Sequence, residues 1–196
     1  MLSSNLAYLE LLNTTGSWKE IIERMRQCIR EARNPFPDIY RLLEDPNWRP
    51  NIVGAVALLL APGNGEAVER LWKCMDKGSW ASPQLAAAAS LCDSHFSDDA
   101  RARLVQRCPI QAGGLYREEH FHQYPDARHN AKLASALVRL CELREVAPGW
   151  LVELKHDPEF AAFLASDTDR GGQVAEQWLA DMVTVVPRAS STMTET

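Results

Sequence analysis

No part of the chain is apolar for long enough to cross a bilayer. The longest uncharged apolar run is Ile52 to Ala61, which as a helix is about 15 Å long, roughly half a hydrocarbon core. The first ten residues hold no Lys or Arg and reach Glu10 before an apolar stretch develops, so no secretory leader is expected. Cysteine is sparse and unpatterned. Cys28, Cys74, Cys92, Cys108 and Cys141 make an odd number, and no CxxC occurs. Each sits in or at the end of an apolar helical pattern, so the expectation is buried free thiols in a reducing cytosol, without disulfides. A basic excess is also missing. Lys plus Arg is 21 against 26 Asp plus Glu, a net charge of -5. That balance argues against a general nucleic-acid binder and against a polybasic membrane-surface protein. Finally, no strand pair and no hairpin turn can be found.

What remains is helix. At 196 residues, 46% hydrophobic and 24% charged, the chain has the size and profile of one soluble domain. We expect that domain over residues 1–186, with the small, polar stretch 187–196 as a disordered tail. Trp18 to Arg33 places Ile21, Ile22, Met25, Cys28, Ile29 and Ala32 on one stripe. The basic residues Lys19, Arg24, Arg26, Arg30 and Arg33 interleave with Glu20, Glu23 and Glu31, the pattern of a solvated face. Asn51 to Ala61 and Gln84 to Cys92 are nearly uncharged all round, so both helices must be covered on most sides. Asp126 to Arg144 reads as a long helix with Leu133, Ala134, Leu137, Leu140 and Cys141 inward. Gly171-Gly172 is expected to precede a last helix built on Val174, Trp178, Leu179 and Met182.

The two apolar helices are copies. Pro50 matches Pro83, Ile52 matches Leu85, Ala55 matches Ala88 and Leu58 matches Leu91, at a spacing of 33. A weaker third copy, Lys132 to Leu140, follows about 48 residues on. Self-similarity at such periods marks stacked helical repeats. The segment Asp45-Pro46-Asn47-Trp48-Arg49-Pro50-Asn51-Ile52-Val53-Gly54-Ala55-Val56-Ala57-Leu58 resembles the turn and second helix of a HEAT or armadillo-type repeat. Arg49, Ala55, Ala57 and Leu58 fit that pattern, and Pro50 departs from it. The resemblance covers mainly residues 39–108. It implies an all-α fold of stacked antiparallel helix pairs, as a short α-solenoid or an irregular helical bundle.

Catalytic patterns are hard to find. Glu118-Glu119-His120-Phe121-His122, with Asp126 and His129, has the ligand types of a divalent-metal site. Its spacing does not put His120 and His122 on one helix face, and an irregular polar insertion explains it equally well. His129, His156-Asp157 and Asp181 can be fitted to an HD-type phosphohydrolase. Asp157-Pro158, however, is also the signature of a helix start. Gly63-Asn64-Gly65 lacks the Lys-Ser/Thr of a phosphate loop, and Asp93-Ser94-His95 has no nucleophile elbow. We therefore expect no enzyme, no cofactor and no metal.

Charge is unevenly spread. From Glu145 to Thr196 there are nine acids against three bases, a balance of -6, and the remainder stands at +1. An acidic surface on a rigid scaffold favours a basic protein partner. The expected contact residues are Asp157, Glu159, Asp167, Asp169, Glu176 and Asp181. The expected role is a protein–protein interaction module in the cytoplasm, in its sharpest form an inhibitor or immunity-type protein for a basic bacterial toxin or effector. An adaptor or assembly factor, with self-association, is the alternative, and the HD-type hydrolase a further one.

Overall fold

The computed structural model describes residues 8–61, 63–108, 126–144 and 149–186, with backbone alone at 126–129. Residues 109–125, which include the polar insertion expected at 111–125, and the expected tail 187–196 lie outside the described residues, as do the side chains of Asp126 and His129. Among the described residues there are eleven helices and no strand. They are α1 (Tyr8–Asn13), α2 (Trp18–Glu31), α3 (Phe36–Glu44), α4 (Trp48–Leu60), α5 (Gly65–Asp76), α6 (Ser82–Cys92), α7 (Phe96–Val105), α8 (Asp126–Leu143), α9 (Gly149–His156), α10 (Pro158–Ala165) and α11 (Gly171–Met182). The chain is all-α.

Local sequence sets many of the boundaries. Asn47 caps α4 by accepting from the Arg49 amide at 3.1 Å, and Asn64 caps α5 by accepting from the Ala67 amide at 3.0 Å. Both satisfy amides left unpaired at a helix start. Asn34 and Pro35 separate α2 from α3.

The pairs α3/α4, α5/α6 and α7/α8 pack in succession, so that α4, α6 and α8 lie side by side. The α1 and α2 helices cover α4 on its other side, and α11 covers α6 and α8. The α10 helix rests on α8 and α9 on α10. The result is a central row of helices between two outer layers. That explains the uncharged helices: α4 is buried from Asn51 to Leu59, and α6 from Ser82 to Ala89. The alanines of α6 bring four neighbouring helices, α4, α5, α8 and α11, close to its backbone.

The repeat carries one polar position through the row. Asn51, Gln84 and Lys132 stand at the spacings of 33 and 48, and all three are buried. Each donates to backbone carbonyls: Asn51 to Leu42 at 3.0 Å and Asp45 at 3.1 Å, Gln84 to Leu12 at 3.2 Å, Lys132 to Trp80 at 3.3 Å. These bonds satisfy carbonyls in the turns and at helix ends.

Three expectations need correction. Cys28 and Ala32 are exposed, because only the first half of α2 reaches the core. Cys92 is only half-buried. Gly171 and Gly172 do not precede the last helix; they begin it. A Cβ on Gly171 would stand 2.1 Å from the Lys132 carbonyl oxygen, so only glycine lets α11 lie on α8 this closely. The residue before it, Arg170, takes the left-handed conformation at φ 56°, and Asp167 accepts from the Gly171 amide at 2.7 Å to hold that entry.

Candidate functional site

The six acids expected to contact a partner are all engaged within the fold. Asp157 caps α10 by accepting from the Glu159 amide at 2.8 Å, with Pro158 at the first helical position. Glu159 pairs with Arg107 at 2.7 Å. Asp167 accepts from the amides of Asp169 and Gly171. Asp169 stands 3.7 Å from the buried Lys132 ammonium. Glu176 takes both arms of Arg139, at 2.8 and 2.6 Å, and that hydrogen bonding holds its carboxyl below the usual range. Asp181 accepts from the Thr14 hydroxyl at 2.6 Å and ties α11 to the end of α1. Burial pulls the Lys132 ammonium below its usual range, opposed by Asp169 and Asp167.

The remaining sequence candidates are placed as follows. His156 is exposed, and its Nδ1 lies 2.8 Å from the Val152 carbonyl oxygen. Among the described residues no group of three His, Cys, Asp or Glu side chains could hold a metal. The thiols of Cys74, Cys92 and Cys108 are pushed up to about 12 by burial and that of Cys141 to about 11. Trp18, Trp72 and Trp178 are buried and Trp48, Trp80 and Trp150 half-buried, and five of the six have a cation over the ring.

A further cluster of charges lies elsewhere. Between α5, the α6–α7 turn and α7 runs a groove of about 580 Å³. Trp72 and Asp76 reach it from α5, Asp93 from the end of α6, and Asp99 and Arg103 from α7. Arg103 lies over the Trp72 ring, 4.1 Å from its centroid, and binds Asp76 through two hydrogen bonds of 2.7 and 2.8 Å. Asp93 accepts from the Trp72 indole N–H at 2.8 Å and from the His95 amide at 2.8 Å. Asp99 lines the same groove, where Arg103 Nη1 lies 3.4 Å from its Oδ1. Burial, and then the charge of Asp93, hold the Asp99 carboxyl above the usual range against the pull of Arg103. By contrast, the smaller hollow between α3 and α5 is lined by matched charges, with Arg70 on Glu66 and Glu44 and Lys73 on Glu69.

Sequence reasoning missed this groove. Asp93 and Asp99 are six residues apart across a turn, a separation without a helical or strand period. The i,i+4 pairs Trp72/Asp76 and Asp99/Arg103 were visible, but nothing in the sequence joins one pair to the other. The chain matches no protein-family model, no curated protein and no solved structure.

Proposed function

We propose that the chain is a protein-binding module with no catalytic role, and in its sharpest form an inhibitor or immunity-type protein that covers a basic bacterial toxin or effector. The observation that carries this reading is a groove on the helical scaffold in which acids outnumber bases, Glu69, Asp76, Asp93 and Asp99 against Lys73 and Arg103. A basic protein supplies the missing charge. The acidic last quarter acts at longer range. The six acids described above are already used in caps, ion pairs and hydrogen bonds, so they steer a basic partner rather than grip it.

The experiment is reconstitution. The chain is used to capture proteins from its native host, and any basic protein that co-elutes stoichiometrically is purified and recombined with it. A stable complex whose partner is toxic when expressed alone supports the inhibitor reading. A chain that forms no complex with any basic protein contradicts it.

The adaptor reading has its own support. Val105, Leu143 and Val152, on α7, α8 and α9, are exposed, and apolar side chains of this kind suit self-association. Sedimentation of the chain alone over a range of concentrations tests it. A mass that rises with concentration favours the adaptor.

A further inference from the structure

We infer that a second copy of this chain docks on the outer half of α2, and that it does so with its α9–α10 end. The inference rests on the self-association reading and adds the two surfaces that meet and the charges that match them. Residues 24–33 carry Arg24, Arg26, Arg30 and Arg33 against Glu31 alone, a balance of +3 in a chain whose net charge is -5. Arg26 is held by Glu23. Arg24, Arg30 and Arg33 are exposed and have no acidic partner among the described residues. The same stretch carries apolar surface that the fold leaves uncovered. The core takes Trp18, Ile21, Ile22 and Met25. Beyond them the stripe of α2 continues with Ile29 half-buried and Cys28 and Ala32 exposed.

The far end of the molecule has the complementary character. Residues 149–165, which hold α9 and α10, carry Glu153, Asp157 and Glu159 against Lys155, a balance of -2. All three acids are exposed, and Glu153 has no basic partner among the described residues. The bases beside them are occupied: Lys155 by Glu142, Arg107 by Glu159, and Arg101 over the Trp150 ring. Val152, next to Glu153, is 46% exposed, and Ala161, Ala162 and Ala165 of α10 are exposed as well. Each surface thus joins uncovered apolar side chains to charge of one sign, the make-up of a contact with an apolar centre and a charged rim. The α2 helix lies on α4, the first helix of the central row, and α10 on α8, the last, with α6 between them. Within one copy the row holds the two surfaces apart. Between copies they meet head to tail, as a heterologous contact of unlike patches that repeats from one copy to the next.

The test is sedimentation of the full chain alone, over a range of concentrations at low salt. The expected result is a mass that rises with concentration and falls back when salt is added. Two variants reverse one surface each: Arg24→Glu with Arg30→Glu, and Glu153→Lys with Glu159→Lys. Each alone weakens association about tenfold. Mixing the two variants restores it, because both contacts between unlike variants then join opposite charges. Arg41→Glu with Lys73→Glu makes the same change in net charge as the α2 reversal, at exposed sites on α3 and α5, and leaves association unchanged. Retained helical circular dichroism shows that each variant is folded. A mass that stays at one chain overturns both the inference and the self-association reading. A rising mass that neither reversal weakens, or that the Arg41/Lys73 control weakens equally, overturns the inference and leaves self-association standing. So does failure of the mixed variants to assemble, which would mean that like surfaces meet. If the chain alone stays monomeric but binds a duplex oligonucleotide, and Arg24→Glu with Arg30→Glu abolishes that binding, the occupant of α2 is nucleic acid and the inference is wrong.

Discussion

Gly171 and Asp99 show how individual residues are constrained here. Alanine at 171 must push its Cβ against the Lys132 carbonyl oxygen, which is backbone and cannot swing aside. Gly171→Ala should cost about 1–3 kcal/mol or more, as overpacking does, and lower the thermal midpoint. Gly172→Ala, whose nearest contact is 3.0 Å, should cost less. Asp99 works in the other direction. Its folded proton affinity is raised, so ionisation is harder in the folded state than in the unfolded one. The folded state is favoured while both are protonated, and that advantage is lost as pH rises through the folded value. Asp99→Asn should therefore raise the unfolding temperature at pH 7. The gain should vanish below about pH 3.5, where the unfolded aspartate is protonated as well. A melt at each pH reads both effects; a neutral-pH loss of stability would contradict the charge assignment.

Helices were the most legible level. The 3.6-residue period of Trp18 to Met25, the proline stops and the uncharged runs at Ile52 and Leu85 all translate into elements or buried faces at those positions. The 33-residue spacing of Pro50 and Pro83 falls near the starts of α4 and α6, which pack against each other in the central row. What failed did so for tertiary reasons. The stripe of α2 outruns the surface it packs on, which leaves Cys28 in solvent. The glycines at 171 and 172 looked like a break because their function is a close helix contact, which a sequence pattern does not report. Leu85 sits fully buried in the middle of the row. Leu85→Ala should cost about 2–5 kcal/mol by cavity formation, measured by urea unfolding. The same change at exposed Val105 should be nearly neutral.

Across the whole molecule, the two ends of the described chain close one face of the central row together. The Trp178 indole donates to the Leu11 carbonyl at 2.9 Å, Thr14 reaches Asp181, and Arg26 donates to the Val185 carbonyl at 2.6 Å. A chain ending before Asp167 should therefore expose the faces of α6 and α8 and bind a hydrophobic dye such as ANS, with loss of a cooperative melt. The site was less legible than the fold. Net charge pointed to the last quarter, but charge counting cannot see that Glu159, Asp169 and Glu176 meet Arg107, Lys132 and Arg139 from other parts of the chain.

The most direct test of the account is the rate at which the reconstituted partner associates with the chain, followed across ionic strength. A rate that falls steeply with salt is predicted, together with about tenfold slower association at low salt for the double reversal Glu153→Lys, Glu159→Lys, two exposed positions whose loss leaves the helix caps intact. A rate indifferent to both salt and charge reversal would contradict the claim that this chain works by drawing in a basic protein.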